Sequence, residues 1–192
     1  MTVLQTSFQG LFPSLLHKVQ TNVDKRIEPF CLQIQQENPT GVFFSNQGGW
    51  QSLAINKNSL ITDILYNIFE NSISKLYKQK LKIIYYWINI NGHNNSNIMH
   101  NHPRCDLSGV YYVKVPKNSG HIYFRNPHDF VANAELFSYN DQARQDLKQE
   151  INTFIQPKDG LLLLFPAYLQ HGVMVNQSNE KRISIAFNIK LI

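Results

Sequence analysis

The C-terminal part of the chain decides the fold class; residues 160–190 read GLLLLFPAYLQHGVMVNQSNEKRISIAFNIK. Runs rich in leucine, β-branched and aromatic residues are typical of strands, and the Gly, Pro and Asn clusters between them are typical of turns. The same pattern of strand-like runs separated by turn residues begins near residue 80. The predicted strands are 81–90, 107–115, 121–124, 161–165, 168–175 and 183–189. So many short strands, interrupted only by a helix over about 140–150, predict a mainly β jelly roll or sandwich rather than a parallel α/β sheet.

The N-terminal third is predicted to be helical. Ile27, Phe30, Cys31 and Ile34 follow the helical i, i+3, i+4, i+7 pattern, and a second apolar face runs from about residue 58 to 77. We therefore expect a single domain, residues 1–192, with a helical flank over about 1–79 packed on one sheet of a core over about 80–192. Between the two helices, Gly48-Gly49-Trp50 predicts a tight turn and a tryptophan buried where the flank meets the sheet. The alternative is that Trp50 forms a wall of a substrate pocket.

Composition excludes several classes of protein. With 43% hydrophobic residues in 192, the chain can bury a core, and only 16% are charged, with a net charge of +5. Two cysteines cannot form a disulfide framework, so we expect a reducing compartment, the cytoplasm. The longest uncharged stretch, residues 160–179, breaks into strand-sized pieces, so we expect no membrane span. The lysines after the second helix are interpreted as a solvated helix end, and we expect no nucleic-acid partner, although we allow for a homodimer. These lysines are Lys75, Lys78, Lys80 and Lys82.

Three of the seven histidines stand out. His100 and His102 are two residues apart ahead of a predicted strand, and in an extended chain they project from the same face, where they can bind one metal ion. His171 follows an apolar strand, where a histidine needs a polar partner or a function. The others, His17, His93, His121 and His128, are interpreted as structural or solvated.

A candidate anion site follows the last of these histidines. Arg182 lies eleven positions after His171, and Ser184 shares its strand face. A guanidinium with a hydroxyl beside it suits bidentate binding of a carboxylate.

Together these motifs resemble the 2-oxoglutarate- and Fe(II)-dependent dioxygenases, whose pattern is His-x-Asp/His, a distal His and, after ten intervening residues, Arg-x-Ser. More narrowly, the chain resembles oxygenases of this kind that carry His-x-His-Pro and Ser-Gly-x-Tyr-Tyr, here His100–Pro103 and Ser108–Tyr112. The resemblance extends from about residue 10 to the C-terminus. Its further elements are Gly48–Ser52, Trp87-x-Asn89, Phe165-Pro166 and Phe187-Asn188.

The resemblance implies a double-stranded β-helix, a cupin-like jelly roll, with iron in the cleft between its sheets. It implies that His100 and His171 bind Fe(II) and that Arg182, assisted by Ser184, binds the distal carboxylate of 2-oxoglutarate. Tyr112 is a candidate assistant on a neighbouring strand. No catalytic residue beyond the metal ligands is predicted.

The third metal ligand is where the chain departs from the commoner pattern, which has Asp or Glu in place of His102. We favour His102. The alternatives are Asp106, water or no third ligand, and Cys105 is interpreted as a small buried hydrophobic residue.

Three functions follow from this interpretation. The first is an Fe(II)/2-oxoglutarate-dependent dioxygenase that uses O₂ to hydroxylate an unidentified substrate and releases succinate and CO₂. The second is a cupin-type dioxygenase with three histidines and no 2-oxoglutarate. The third is a jelly-roll binding module without turnover. We expect the loops 92–99 and 127–140 to determine specificity.

Overall fold

A computed structural model of the chain describes residues 13–56, 59–128, 138–143 and 150–192. Within these residues there are eleven strands and two α-helices. The helices are α1 (Ile27–Glu37) and α2 (Ser59–Ser72), and a 3₁₀ helix covers Ser74–Leu76. The strands are β1 (His17–Gln20), β2 (Asn46–Gln47), β3 (Trp50–Gln51), β4 (Leu81–Asn91), β5 (Ser96–His100), β6 (Leu107–Lys114), β7 (Ile122–Arg125), β8 (Asn152–Ile155), β9 (Leu161–Pro166), β10 (His171–Val173) and β11 (Arg182–Leu191).

The strands form two antiparallel sheets. The large sheet has the order β1-β9-β6-β11-β4-β3 and the small sheet has the order β2-β5-β10-β7-β8. Apolar residues of the two sheets pack together in one core, in which Ile122 and Phe124 of the small sheet meet Leu163 and Phe165 of the large sheet. The sheets therefore face each other, and the prediction of a mainly β jelly roll is confirmed.

Side-chain alternation gives the large sheet two different faces. Along β11, Ile183 and Ile185 are part of a core cluster that also contains residues of both helices, whereas Arg182 and Ser184 line a cavity between the sheets. In β6, Tyr111 and Tyr112 divide between the two faces in the same way. A strand that presents one face to helices and the other to a cavity explains why apolar and polar residues alternate here.

The helices pack on the outer face of the large sheet, as predicted. Ile27 and Cys31 of α1 and Leu65 and Phe69 of α2 lie in the same buried cluster as the outward residues of β4, β6, β9 and β11. Gly109 permits this packing, because a Cβ at this position would lie 2.3 Å from the Phe187 ring. None of the described helices is long and apolar enough to cross a membrane.

The N-terminal flank differs from the prediction because it is not purely helical. His17–Gln20 forms β1, which pairs with β9, although the N-terminal third was predicted to be helical. Asn46–Gln47 joins the edge of the small sheet and Trp50–Gln51 joins the edge of the large sheet. The flank thus contributes strands to both sheets. The sequence pattern that would predict these strands is weak because each of them has four residues or fewer.

Gly48 and Gly49 carry the chain from one sheet to the other. Gly48 has a φ of +72°, and a Cβ on Gly49 would lie 2.5 Å from Asn91 Oδ1. Trp50, which follows, is only 8% exposed, and its indole nitrogen donates to the carbonyl oxygen of Asn38 at 2.9 Å. The predicted burial of Trp50 where the flank meets the sheet is confirmed.

Other boundaries differ in detail. Residues 96–100 form β5 rather than part of a loop, and β10 covers only residues 171–173 of the strand predicted over 168–175. β8 was not predicted; it pairs with β7 at the edge of the small sheet. Most of the helix predicted over 140–150 lies outside the described residues, because residues 144–149 are not described. The same holds for residues 129–137 of the predicted specificity loop.

Candidate metal and cosubstrate site

Three histidines from two neighbouring parts of the small sheet form one cluster. His100 ends β5 and His171 begins β10, and the two residues are direct partners in the antiparallel pairing of these strands. His102 follows β5, where its backbone N–H donates to the carbonyl oxygen of Ala167 at 3.0 Å. One candidate ligand atom from each histidine lies within 4.8 Å of those of the other two. The structure thus brings together all three predicted metal-binding histidines.

The hydrogen bonds of the cluster determine which nitrogens face its centre. Nδ1 of His100 lies 2.8 Å from the carbonyl oxygen of Ile98, and Nδ1 of His171 lies 2.9 Å from that of Leu169. A carbonyl oxygen only accepts, so both Nδ1 atoms carry hydrogen and both Nε2 atoms keep a free lone pair. Nε2 of His102 lies 3.4 Å from Nε2 of His171. Two nitrogens at adjacent positions of one metal ion, each bound at about 2.1 Å, lie about 3 Å apart, so the arrangement fits a metal ion.

Burial keeps these imidazoles in the neutral form that binds metals. Loss of solvation lowers the pKa of His102 to about 3 and that of His171 to about 4, and repulsion from neighbouring histidines acts in the same direction. The pKa of His100 is also lowered, chiefly by burial. Around the cluster, the Phe165 and Phe124 rings lie 4.7 and 5.8 Å from the His171 ring, and the Trp87 ring lies 5.5 Å from the His102 ring.

Asp106, the alternative third ligand, is engaged elsewhere. Its Oδ1 lies 3.0 Å from Nζ of Lys190, and its Oδ2 accepts from the backbone N–H of Leu191 at 2.9 Å. These contacts lower the pKa of the Asp106 carboxyl. It is not part of the histidine cluster. Cys105 is also outside the cluster and is half-buried rather than buried, with its thiol 3.8 Å from the carbonyl oxygen of Pro103.

A narrow inner cavity of about 40 Å³ lies between the sheets beside the histidines. The predicted cosubstrate residues Arg182, Ser184 and Tyr112 all line it, together with Asn89. Ser184 and Tyr112 are direct partners in the pairing of β11 with β6, and Arg182 is two residues from Ser184 on the same face. The strand pairing therefore brings the residues predicted to bind the cosubstrate to the same cavity as the histidines.

Two buried groups in the inner cavity lack the partners that burial normally requires. Arg182 is 3% exposed; one guanidinium nitrogen donates to the carbonyl oxygen of Ser119, and among the described residues no carboxylate pairs with it. Burial lowers the pKa of Arg182 and raises that of Tyr112. The Tyr112 hydroxyl has no hydrogen-bond partner among the described residues. A buried cation and a free hydroxyl donor beside neutral imidazoles fit a small anion that also reaches a metal ion.

A second, wider cavity, here called the outer pocket, opens from the histidines toward solvent and has a volume of about 440 Å³. It shares Ser45, Trp87, His100 and His102 with the inner cavity. Its remaining lining residues are Phe44, Gln51, Ser52, Ala54, Tyr85, Ile98, Asn101 and Asn188. Much of this wall belongs to residues 44–54. The motif at 48–52 marks this segment in the sequence. We predicted burial of its tryptophan, with a wall of the substrate pocket as the alternative, and Trp50 does not line the outer pocket.

The remaining histidines lie outside the cluster. Nε2 of His17 is 3.1 Å from the Tyr77 hydroxyl, and Nδ1 of His93 is 3.3 Å from the carbonyl oxygen of Ser178. The four lysines are exposed, as predicted, but they do not form a helix end. Helix α2 ends at Ser72, Lys75 lies in the 3₁₀ helix, Lys78 and Lys80 follow it, and Lys82 lies in β4.

Two facing antiparallel sheets enclose three neutral histidines and a buried arginine that has no carboxylate partner among the described residues. The protein is thus a jelly roll with a candidate metal and anion site. A family model described as "Putative 2OG-Fe(II) oxygenase" matches residues 85–188, more than half of the chain. The chain belongs to this family of 2-oxoglutarate/Fe(II) oxygenases. A search of curated proteins gives no significant match.

Solved structures of 2-oxoglutarate-dependent enzymes share the fold. The carbocyclase SnoK from nogalamycin biosynthesis has a TM-score of 0.64 at 12% identity, with 92% of this chain and 80% of that chain covered. HygX from Streptomyces hygroscopicus, with nickel, 2-oxoglutarate and hygromycin B bound, has a TM-score of 0.62 at 10% identity and coverages of 93% and 83%. The collagen prolyl hydroxylase vCPH of Paramecium Bursaria Chlorella virus-1 has a TM-score of 0.57 at 15% identity and coverages of 92% and 96%.

Family membership confirms the predicted class of enzyme, an oxidoreductase that uses Fe(II) and 2-oxoglutarate, with 2-oxoglutarate and O₂ as cosubstrates. The two other functions left open by the sequence, a three-histidine dioxygenase without 2-oxoglutarate and a binding module without turnover, are not favoured.

Proposed function

We propose that the protein hydroxylates a substrate held in the outer pocket, with Fe(II) bound by His100, His102 and His171 and 2-oxoglutarate bound in the inner cavity. The observation that carries this proposal is the buried, unpaired guanidinium of Arg182 in the same cavity as three histidines. An arginine buried without a carboxylate partner is costly unless an anionic ligand completes the site.

The metal ligands in this proposal are held by the backbone. The carbonyl oxygens of Ile98 and Leu169 accept from Nδ1 of His100 and His171, which fixes both rings with Nε2 toward the metal position. His102 completes an all-histidine set, because Asp106 is bound to Lys190 and Leu191. Three neutral ligands leave the iron one unit more positive than two histidines and a carboxylate would, which favours an anionic cosubstrate beside it.

The residues of the inner cavity hold 2-oxoglutarate by the end that lies away from the metal. The Arg182 guanidinium binds the C5 carboxylate of 2-oxoglutarate, and the Tyr112 hydroxyl, free in this structure, donates to the same carboxylate. Ser184, opposite Tyr112 in the sheet, offers a further hydroxyl. Apolar residues such as Phe165 and Phe124 exclude water from this end of the cleft.

When bound, Fe(II) and 2-oxoglutarate supply the oxidising chemistry, in which one atom of O₂ enters succinate as 2-oxoglutarate loses CO₂ and the other enters the substrate. The residues of this chain bind, orient and shield the reactants, and none is assigned a proton-transfer step.

Anaerobic titration of the Fe(II)-loaded protein with 2-oxoglutarate tests the proposal. A visible metal-to-ligand charge-transfer band that saturates is expected, whereas succinate, which lacks the keto group, should give none. Admission of O₂ should then produce succinate. Absence of the band at millimolar 2-oxoglutarate would contradict the cosubstrate assignment, and iron binding that survives loss of the histidines would contradict the ligand assignment.

We also propose that flank and core fold as one domain. Residues of α1 and α2 share a buried cluster with four strands of the large sheet, and β1, β2 and β3 complete both sheets. A single unfolding transition, coincident in circular dichroism and tryptophan fluorescence, is expected. Two separated transitions would contradict the proposal.

A further inference from the structure

The outer pocket carries information about the primary substrate, because its lining is chemically distinctive. Its volume of about 440 Å³ lies in the range of small-molecule sites. None of the described residues that line it is Asp, Glu, Lys or Arg. A charged group that entered the pocket would lose hydration and find no opposite charge among these described residues, which is costly. The part of the substrate that enters is therefore uncharged.

One buried polar side chain in the pocket wall lacks a partner. Gln51 lies in β3, is 5% exposed and lines the pocket. Its Oε1 has no hydrogen-bond partner among the described residues. The neighbouring Ser52 differs, because its hydroxyl donates to the carbonyl oxygen of Leu53 and accepts from the backbone N–H of Ile88. A buried amide that the fold leaves unsatisfied calls for a hydrogen-bonding group on the ligand.

The rest of the pocket is aromatic or apolar. Tyr85 and Trp87 have ring centroids 5.9 Å apart, and Trp87 lies 5.5 Å from the ring of His102, so an aromatic wall leads to the histidine cluster. At the solvent end, Phe44 is 78% exposed and Ile98 is 45% exposed. Large apolar side chains left open around a concave site mark it as a binding surface for an apolar ligand.

We propose that the outer pocket recognises an uncharged aromatic or alicyclic body that carries an amide or hydroxyl group, and that Gln51 binds this group. That this ligand is the primary substrate rests on the proposed function. The preference for a neutral ligand rests only on the pocket.

Three probes with one skeleton and different charge test the preference. They are 3-phenylpropionamide, which is neutral, 3-phenylpropionate, an anion, and 3-phenylpropylamine, a cation. Binding to the metal-free protein is measured by fluorescence excited where only tryptophan absorbs. Of the two tryptophans, Trp87 lines the pocket and Trp50 is buried against the flank, so Trp87→Phe should remove the ligand-dependent signal. Saturation-transfer NMR provides a readout independent of tryptophan.

We expect the amide to bind at least about 10-fold more tightly than either charged probe, since a charge without a partner costs more than about 1.4 kcal/mol in a desolvated site. Gln51→Leu should weaken amide binding about 5-fold, equivalent to one hydrogen bond. Gln51→Glu should make the amine the preferred probe. Gln47→Glu, the same change on an exposed residue of β2 that does not line the pocket, should leave the ranking unchanged.

Equal or tighter binding of a charged probe by the wild-type protein would overturn the inference, as would no detectable binding of any probe at millimolar concentration. An unchanged ranking in a folded Gln51→Glu variant would overturn the role of Gln51. The charge-transfer titration on the same protein separates the two proposals. Preference for the amide without a 2-oxoglutarate band would refute the proposed function alone, and a band without preference would refute this inference alone.

Discussion

The two cavities on either side of the histidines differ in size, charge and origin. The inner cavity is narrow and contains the buried Arg182, and its cosubstrate residues come from β6 and β11 in the middle of the large sheet. The outer pocket is larger and has no Asp, Glu, Lys or Arg among its described lining residues, and much of its wall comes from residues 44–54, where the chain crosses between the sheet edges. If the proposed function is correct, we expect the cosubstrate end to be specific, because it lies on central strands, and the substrate end to tolerate change, because its segment lies at the sheet edges.

The largest expected effect is on iron affinity, at the histidine cluster that lies between the two cavities. His102→Ala should lower iron affinity by more than about 100-fold, because a direct ligand is lost and losses of supporting groups alone reach that range. His102→Asp should keep iron bound, since a carboxylate is a suitable ligand at this position. Iron stoichiometry and competition with a chelator measure both.

His93→Ala is the matched control, because His93 is exposed and bonded to Ser178 away from the cluster. Asp106→Asn should also leave iron affinity unchanged. If His102→Ala retains iron while Asp106→Asn loses it, the ligand assignment is wrong.

Trp50→Ala should have the next largest effect, which is a loss of protein stability. Loss of a buried indole is expected to lower the free energy of unfolding by about 3–5 kcal/mol, measured by urea denaturation. Trp50 pairs with β4 through Ile90 and precedes Gln51 in β3, so binding in the outer pocket should weaken as well. Affinity of the folded protein for 2-oxoglutarate should not change. A stable variant with normal pocket binding would show that β3 is held by other contacts.

Arg182→Lys tests the inner cavity. It keeps the charge but loses the planar fork, and loss of a charged hydrogen bond worth about 1.5–3 kcal/mol should weaken 2-oxoglutarate binding about 10- to 100-fold. Iron affinity and probe binding in the outer pocket should be nearly unchanged. Arg26→Lys, at an exposed arginine paired with Asp24, is the control. Unaltered 2-oxoglutarate affinity in the titration would place the cosubstrate elsewhere.

The two cavities also differ in how far the sequence predicts them. His100 and His102 are two positions apart, as are Arg182 and Ser184, so alternation along an extended chain predicts that each pair shares one face. The apolar runs of β6, β9 and β11 likewise predict the central strands. Only the resemblance to the oxygenases assigned His171 and Tyr112 to the same site as these two pairs. The local sequence pattern does not show the order of the strands in a sheet, so it cannot predict which distant residues lie together.

The outer pocket was not predicted, for a physical reason. Its wall depends on β2 and β3, each two residues long, and on the crossing at Gly48 and Gly49. Such short strands carry no periodicity, and only tertiary contacts decide which face of Gln51 meets the cavity. β5 was missed similarly, because SNIMH has polar residues at three of its five positions and follows an Asn-rich turn.

The smallest expected effects come from two buried tyrosines of the large sheet, and they distinguish a role in 2-oxoglutarate binding from a role in stability. Tyr112 and Tyr86 are both buried, and both hydroxyls lack a partner among the described residues. Tyr112 lines the inner cavity, whereas Tyr86 belongs to the cluster packed against the helices. Tyr112→Phe should weaken 2-oxoglutarate binding about 5-fold through loss of one hydrogen bond, yet leave the unliganded protein as stable or slightly more stable, because an unsatisfied buried hydroxyl is removed. Tyr86→Phe should have the same small effect on stability and none on 2-oxoglutarate affinity.

Thermal unfolding measures stability, and the charge-transfer titration measures 2-oxoglutarate affinity. Equal 2-oxoglutarate affinities in both variants would mean that the Tyr112 hydroxyl is a structural remnant of the sheet and that Arg182 binds the carboxylate without it.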